Sequence, residues 1–138
     1  MNVFEKTFSL AASGMDAQTK RLQTVGENLA NADTPGYRRK VVSFEASYGN
    51  EGLSGPGGAD APQLVKPGET ILSNKPFSET YAPFHPLADE RGILEGSNVN
   101  TMIELADASE AGRSYEANLS MFNQARRMYS SLLDLIRR

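Results

Sequence analysis

Two apolar stripes, one near each end of the chain, limit what it can fold into. Phe4, Phe8, Ala11, Met15, Gln18, Leu22, Val25, Leu29 and Ala32 succeed one another at alternating steps of four and three. Leu105, Ala108, Gly112, Tyr115, Leu119, Phe122, Arg126, Tyr129, Leu133 and Ile136 do the same at steps of three and four. A mean step of about 3.5 residues keeps one side of an α-helix against a partner helix for many turns. Only Gln18 breaks the first stripe with a polar side chain, while Gly112 and Arg126 interrupt the second. The expected fold is mainly α: two long terminal helices forming a coiled-coil-like pair, with a loop-rich insert holding at most a small β-hairpin. The chain divides at 1–37, 38–98 and 99–138.

Local signals frame both helices. Asn2 with Glu5 three residues on suggests a capping box, and the run to about 31 has no proline. Asn31, Asp33, Pro35 and Gly36 end it, because Asn and Asp favour turns and Pro35 moves Thr34 out of helical geometry. Pro35-Gly36 suits the centre of a type II turn, with Gly36 at positive φ. Thr101 and Glu104 suggest a second capping box near Asn100, and Arg137 and Arg138 complement the far pole of that helix.

The insert reads differently. Between Gly49 and Gly92 lie seven glycines and six of the seven prolines, so 50–61 is expected to be mobile. Val41-Val42-Ser43-Phe44 suggests a short strand. Gln63–Lys66 and Thr70–Ser73 suggest two more, turned by Pro67-Gly68-Glu69, with Phe77, Tyr81 and Phe84 as aromatic anchors.

Composition narrows the function classes. The net charge of −3 arises in the middle, where 41–98 holds three basic against eight acidic residues. That balance argues against nucleic acid as the main partner, and Arg38-Arg39-Lys40 reads as a solvated turn. With no cysteine, disulfides and thiolate metal sites are excluded. Phe8–Gly14 is too short and polar for a signal-peptide core. His85 is the only histidine, beside Phe84 and Pro86, and reads as a turn residue without companion metal ligands. Glu104 with Asp107, and Glu110 with Arg113, fall at the spacing of surface helical charges. Neither catalytic nor metal-binding residues are expected, nor a cofactor or small-molecule substrate. The stripes leave more apolar surface than one helix pair hides, which favours assembly with further copies.

Ala30-Asn31-Ala32-Asp33-Thr34-Pro35-Gly36-Tyr37 resembles the A-N-x-x-T-x-G-Y signature of bacterial flagellar rod and hook proteins. Ser13-Gly14-Met15 fits the same block, and Ser114-Tyr115-Glu116-Ala117-Asn118 is similar to the family's S-x-x-A-N element. His85-Pro86 and Asn98-Val99-Asn100 resemble segments of the C-type proximal-rod branch; the B-type branch shares the first signature. The resemblance implies a structural subunit of the basal-body rod, exported without a cleaved signal peptide by the flagellar type III apparatus. Its partners would be copies of itself, other rod proteins, and the base ring or export gate. The motif positions are Asn31, Thr34, Pro35, Gly36, Tyr37, Ser114, Tyr115, Ala117 and Asn118. The expected assembly interface is Phe4, Phe8, Met15, Leu22, Val25, Leu29, Leu105, Tyr115, Leu119, Phe122, Tyr129, Leu133 and Ile136.

Overall fold

A computed structural model describes residues 3–48 and 63–137. Helix α1 (Val3–Ala30) leads to strands β1 (Lys40–Tyr48), β2 (Gln63–Leu72), β3 (Glu79–Tyr81) and β4 (Ile93–Glu95), and helix α2 (Thr101–Ile136) ends the chain. The expected cap at Asn2 and the glycine-rich stretch 50–61 lie outside the described residues.

The helices run antiparallel, as paired side chains show. Phe4 meets Tyr129 edge-on with ring centroids 5.5 Å apart, and Phe8 meets Phe122 at 5.0 Å. Farther along, Gly14 faces Asn118, Arg21 faces Asp107, and Asn28 faces Glu104. Numbers rise on one helix as they fall on the other.

The contact is made through small residues. Ala11, Ala17, Ala111 and Ala125 are buried, with Val25 the largest apolar side chain among the buried ones. On α2 the inward positions are Glu104, Ala111, Asn118 and Ala125, interleaved with Ala108, Tyr115, Phe122 and Tyr129. This seam is offset by one residue from the expected one. Leu105, Leu119 and Leu133, anticipated at its centre, are 50 %, 40 % and 40 % exposed. The row 108, 115, 122, 129 belongs to both registers, so the apolar pattern could not separate them. Alanines at the centre let the helix backbones approach, and the leucines are left on the flank.

Helix α1 lies between α2 and the antiparallel β1–β2 ribbon. The short strand expected at 41–44 extends from Lys40 to Tyr48. Pro67-Gly68-Glu69 is not a turn between two strands. β2 is one strand whose register slips where Val42 pairs with Thr70 and Phe44 with Pro67, so Gly68 and Glu69 together oppose Ser43. Ser43 Oγ donates to Glu69 O at 3.2 Å across this bulge. Proline, which cannot donate to the ladder, is tolerated at such a position.

A second small ribbon pairs Glu79, Thr80 and Tyr81 with Glu95, Leu94 and Ile93. Of the expected aromatic anchors, only Phe77 packs, beneath the Arg38 guanidinium at 4.5 Å, while Tyr81 and Phe84 are exposed. Asn100 caps α2, its Oδ1 accepting from Met102 N and Ile103 N at 3.0 and 3.3 Å. The expected Thr101–Glu104 box does not form, since Glu104 is buried beneath α1 and the chain entering β1.

Two glycines separate packing from propensity. A Cβ on Gly14 would stand 2.7 Å from Asn118 Nδ2, whereas one on Gly26 meets nothing within 4 Å. Gly26→Ala should therefore stabilise by up to about 1 kcal/mol, as helix propensity dictates, and Gly14→Ala should not. Urea titrations of both variants check this; equal gains would mean that the helices do not approach closely at Gly14.

Candidate assembly site

The signature turn is built from its own side chains. Asn31 Nδ2 donates to Glu27 O at 2.9 Å, and Thr34 Oγ1 donates to Asn31 Oδ1 at 3.2 Å. Tyr37 N donates to Thr34 O at 3.2 Å across Pro35-Gly36, and Gly36 has φ 72°, as expected of a type II turn. Gly36 N also reaches the carbonyls of Glu95 and Gly96, both at 3.2 Å, which ties the turn to β4.

Beyond the turn the chain enters a buried polar cluster. Asn28, 1 % exposed, serves as a bracket: its Nδ2 donates to Lys40 O and Glu104 Oε2, and its Oδ1 accepts from Lys40 N and the Tyr37 hydroxyl. Burial pushes the Tyr37 hydroxyl above its ordinary pKa. Glu104 is fully buried, and Arg39 Nε donates to its other oxygen. Arg39 Nη2 donates to Asp107 at 2.8 Å, and Arg21 reaches the second oxygen of Asp107 at 3.0 Å. Asn98 closes the far side: its Oδ1 accepts from Arg39 N at 2.6 Å, and its Nδ2 donates to the carbonyls of Ser73 and Lys75.

Arg38-Arg39-Lys40 is thus not a solvated turn. Arg39 compensates a buried carboxylate, Arg38 covers Phe77 and donates to Ser73 O, and Lys40 pairs with Glu27 at 3.0 Å. That ion pair raises the Lys40 pKa, the hydrogen bond to Glu27 contributing most. Glu104 and Asp107, expected as surface charges, face α1 and Arg39. Asn28, Arg39, Asn98, Glu104 and Asp107 were missed as a group, although Asn28 and Glu104 stand one position from the apolar stripes. Polar residues there at helical spacing were the available signal.

The other motif meets the first helix. Asn118 packs on Gly14, Ser114 and Tyr115 are half-buried, and Ala117 is exposed. Of the expected interface, Phe4, Phe8, Phe122 and Tyr129 pair within the chain, Val25 is buried, and Met15 and Leu22 are half-buried. Leu29, Leu105, Leu119, Leu133 and Ile136 stay exposed, the last at 81 %. His85 closes a local turn, its Nδ1 accepting from Leu87 N at 3.1 Å. Among the described residues no group of His, Asp or Glu could hold a metal ion. None of their helices is long and apolar enough to cross a membrane.

Residues 8–38 match the family model "Flagella basal body rod protein", and 90–135 match "Flagellar basal body rod FlgEFG protein C-terminal". Over 99 % of its length the chain is 39 % identical to flagellar basal-body rod protein FlgC of Agrobacterium fabrum, covering 98 % of that relative. The chain belongs to the FlgC family of flagellar basal-body rod proteins. The FlgC proteins of Salmonella typhimurium and Bacillus subtilis are 35 % and 31 % identical to it, over 93 % and 94 % of this chain and 94 % and 95 % of theirs. The matched segments end and begin on either side of the β1–β2 ribbon. They hold the signature turn, the S-x-x-A-N element and the Glu104–Asp107 side of the cluster.

Removing Arg39 leaves Glu104 buried and undercompensated, a change that typically costs about 3–5 kcal/mol. Arg39→Ala should lower stability by that order, while replacing both partners in Arg39→Met with Glu104→Leu should recover most of it. Equal stability of Arg39→Ala and wild type in urea denaturation would show that the pair holds nothing. At the turn, Gly36→Asn should be tolerated and Gly36→Val should destabilise, since asparagine enters the left-handed region far more readily than a β-branched residue. Equal melting temperatures would remove the conformational role given to Gly36.

Proposed function

We propose that the chain is a structural subunit of the flagellar basal-body rod, assembling through its terminal helices into a tube that transmits torque without an active site. The observation that carries this reading is the outer flank of α2. Leu105, Leu119 and Leu133 recur at multiples of seven residues, beside the seam that α1 covers, and each stays at least 40 % exposed. A helix with one apolar row covered and a second row bare is suited to two neighbours, one within the chain and one outside it.

In this reading the α1–α2 pair is the coiled-coil-like unit, and rod proteins, including further copies, are its neighbours. The base ring or export gate would meet the unit at an end of the tube. Contacts between unlike surfaces build an open tube, whereas a two-fold contact closes on itself. The route to the rod would be the flagellar type III export apparatus. The signature turn and its polar cluster hold α1, the ribbons and α2 in one arrangement, so that torque passes through a stiff unit. The tripartite division at 37 and 98 then separates the assembling helices from the insert.

Burying a leucine side chain is worth about 1.5–3 kcal/mol, and a carboxylate in its place adds a desolvation penalty. Leu119→Asp should abolish incorporation into basal bodies, whereas Glu116→Ala, on the polar side, should leave it nearly normal. Because Leu119 is exposed in the single chain, Leu119→Asp should also keep the wild-type melting temperature. Normal rods built from Leu119→Asp, counted in detergent-extracted basal bodies, would sink the proposal.

A further inference from the structure

Helix α2 carries two rows that could face α1, and one row common to both settings. Ala108, Tyr115, Phe122 and Tyr129 form the common row. At about 100° per residue, this row lies about 40° from that of Glu104, Ala111, Asn118 and Ala125, and about 60° on the other side from that of Leu105, Leu119 and Leu133. A turn of α2 by about 50° around its own axis would therefore exchange the outer rows. The rings of Phe122 and Tyr129 would stay beside Phe8 and Phe4.

Little in the chain stands in the way of that turn. Among the described residues, α2 packs on α1 and on none of the strands. Gly112 lies in the leucine row, and a Cβ there would meet nothing within 4 Å. Turned inward, it would let the backbones approach as the alanines do now. Arg126, the one cation in that row, can keep its guanidinium in water on a long apolar stem.

Apolar burial alone would choose the turned setting, since a leucine removes far more surface from water than an alanine. The observed setting buries Ala111 and Ala125 and leaves Leu105, Leu119 and Leu133 exposed. Charge opposes the turn. Glu104 is fully buried, is paired with Arg39 and accepts from Asn28 Nδ2 at 3.0 Å. Arg39 also reaches Asp107 at 2.8 Å. The remaining ion pairs across the seam, of Arg21 with Asp107 and Glu110, are partly exposed and of the kind that contributes little.

We propose that Glu104 is a positioning residue for assembly: held inward by Arg39, it sets the rotation of α2 and keeps the leucine row facing away from α1. Without Arg39 the carboxylate returns to water by rotation of the helix, and the leucines turn onto α1. The consequence for rods rests on the reading of the chain as a rod subunit, whereas the rotation does not.

The absence of cysteine lets single thiols report the rotation. Leu119→Cys and Ala125→Cys are introduced one at a time into the purified full chain, and their alkylation rates are compared with and without Arg39→Met. Residue 125 stands about 31 Å along the helix from Glu104 at 1.5 Å per residue, beyond a local disturbance. In Arg39→Met the thiol at 119 should react about tenfold slower and that at 125 about tenfold faster, as protection passes from one row to the other. Adding Glu104→Leu, which prefers burial and needs no cation, should restore both rates. A frayed or unfolded helix would speed both thiols, and a purely local role would move neither. Either result overturns the proposal, as does failure of Glu104→Leu to restore the rates. In detergent-extracted basal bodies, Arg39→Met should be excluded from rods and the double variant readmitted. Crossed thiol rates together with normal Arg39→Met rods would leave the rotation standing and sink assembly through the leucine row.

Discussion

Glu104 is the point on which the arrangement turns. A carboxylate wholly removed from water needs a cation and hydrogen-bond donors, or its desolvation outweighs the packing around it. Here Arg39 supplies the cation and Asn28 a donor, and each comes from a different part of the chain. Asn28 stands near the end of α1, and Arg39 immediately precedes β1. Satisfying one buried charge therefore brings together the exit from the first helix, the entry to the ribbon and the first turns of the second helix. Such a pair is often no more stable than well-packed apolar residues in its place, whereas breaking it leaves an uncompensated buried charge.

Burying Glu104 has a consequence along the whole of α2. With Glu104 turned inward, Ala111, Asn118 and Ala125 follow at sevens, and the leucines one position later turn to the flank. The row Ala108, Tyr115, Phe122 and Tyr129 would serve either rotation. The rotation that buries Leu105, Leu119 and Leu133 would bury more apolar surface inside the chain but would carry Glu104 away from Arg39 and Asn28. Electrostatics at one end of the helix thus decides which apolar residues remain available at the other.

The same competition explains what was legible in the sequence. Two long helices, the stop at 31–36, the left-handed Gly36 and the first strand follow from periodicity and turn chemistry, which are local. The ring pairs of Phe4 and Phe8 with Tyr129 and Phe122 lie on rows that the heptad reading had found. The rotation of α2 was not legible, because a count of apolar residues favours Leu105 over Glu104, and only the partners of Glu104, at 28 and 39, reverse that preference. Arg38-Arg39-Lys40 was misread for a related reason. A run of like charge looks solvated until the buried carboxylate one of its members faces, sixty-five residues away in sequence, is known. The bulge at Gly68 escaped because Pro-Gly is a turn signal locally, and pairing with Ser43 is not local.

A subunit that must join others faces opposing demands: enough internal packing to hold a shape, and enough bare apolar surface to be held by neighbours. In the proposed assembly, alanines in the internal seam and leucines beside it would meet both, because the backbones approach closely while the larger side chains stay outside. The polar cluster makes this division dependable. If α2 were free to rotate by one position, it could turn its leucine row inward and expose alanine and asparagine, which offer a neighbour far less burial. Fixing the rotation with charge rather than with apolar bulk keeps the leucines outward, on the face that the proposed assembly would bury.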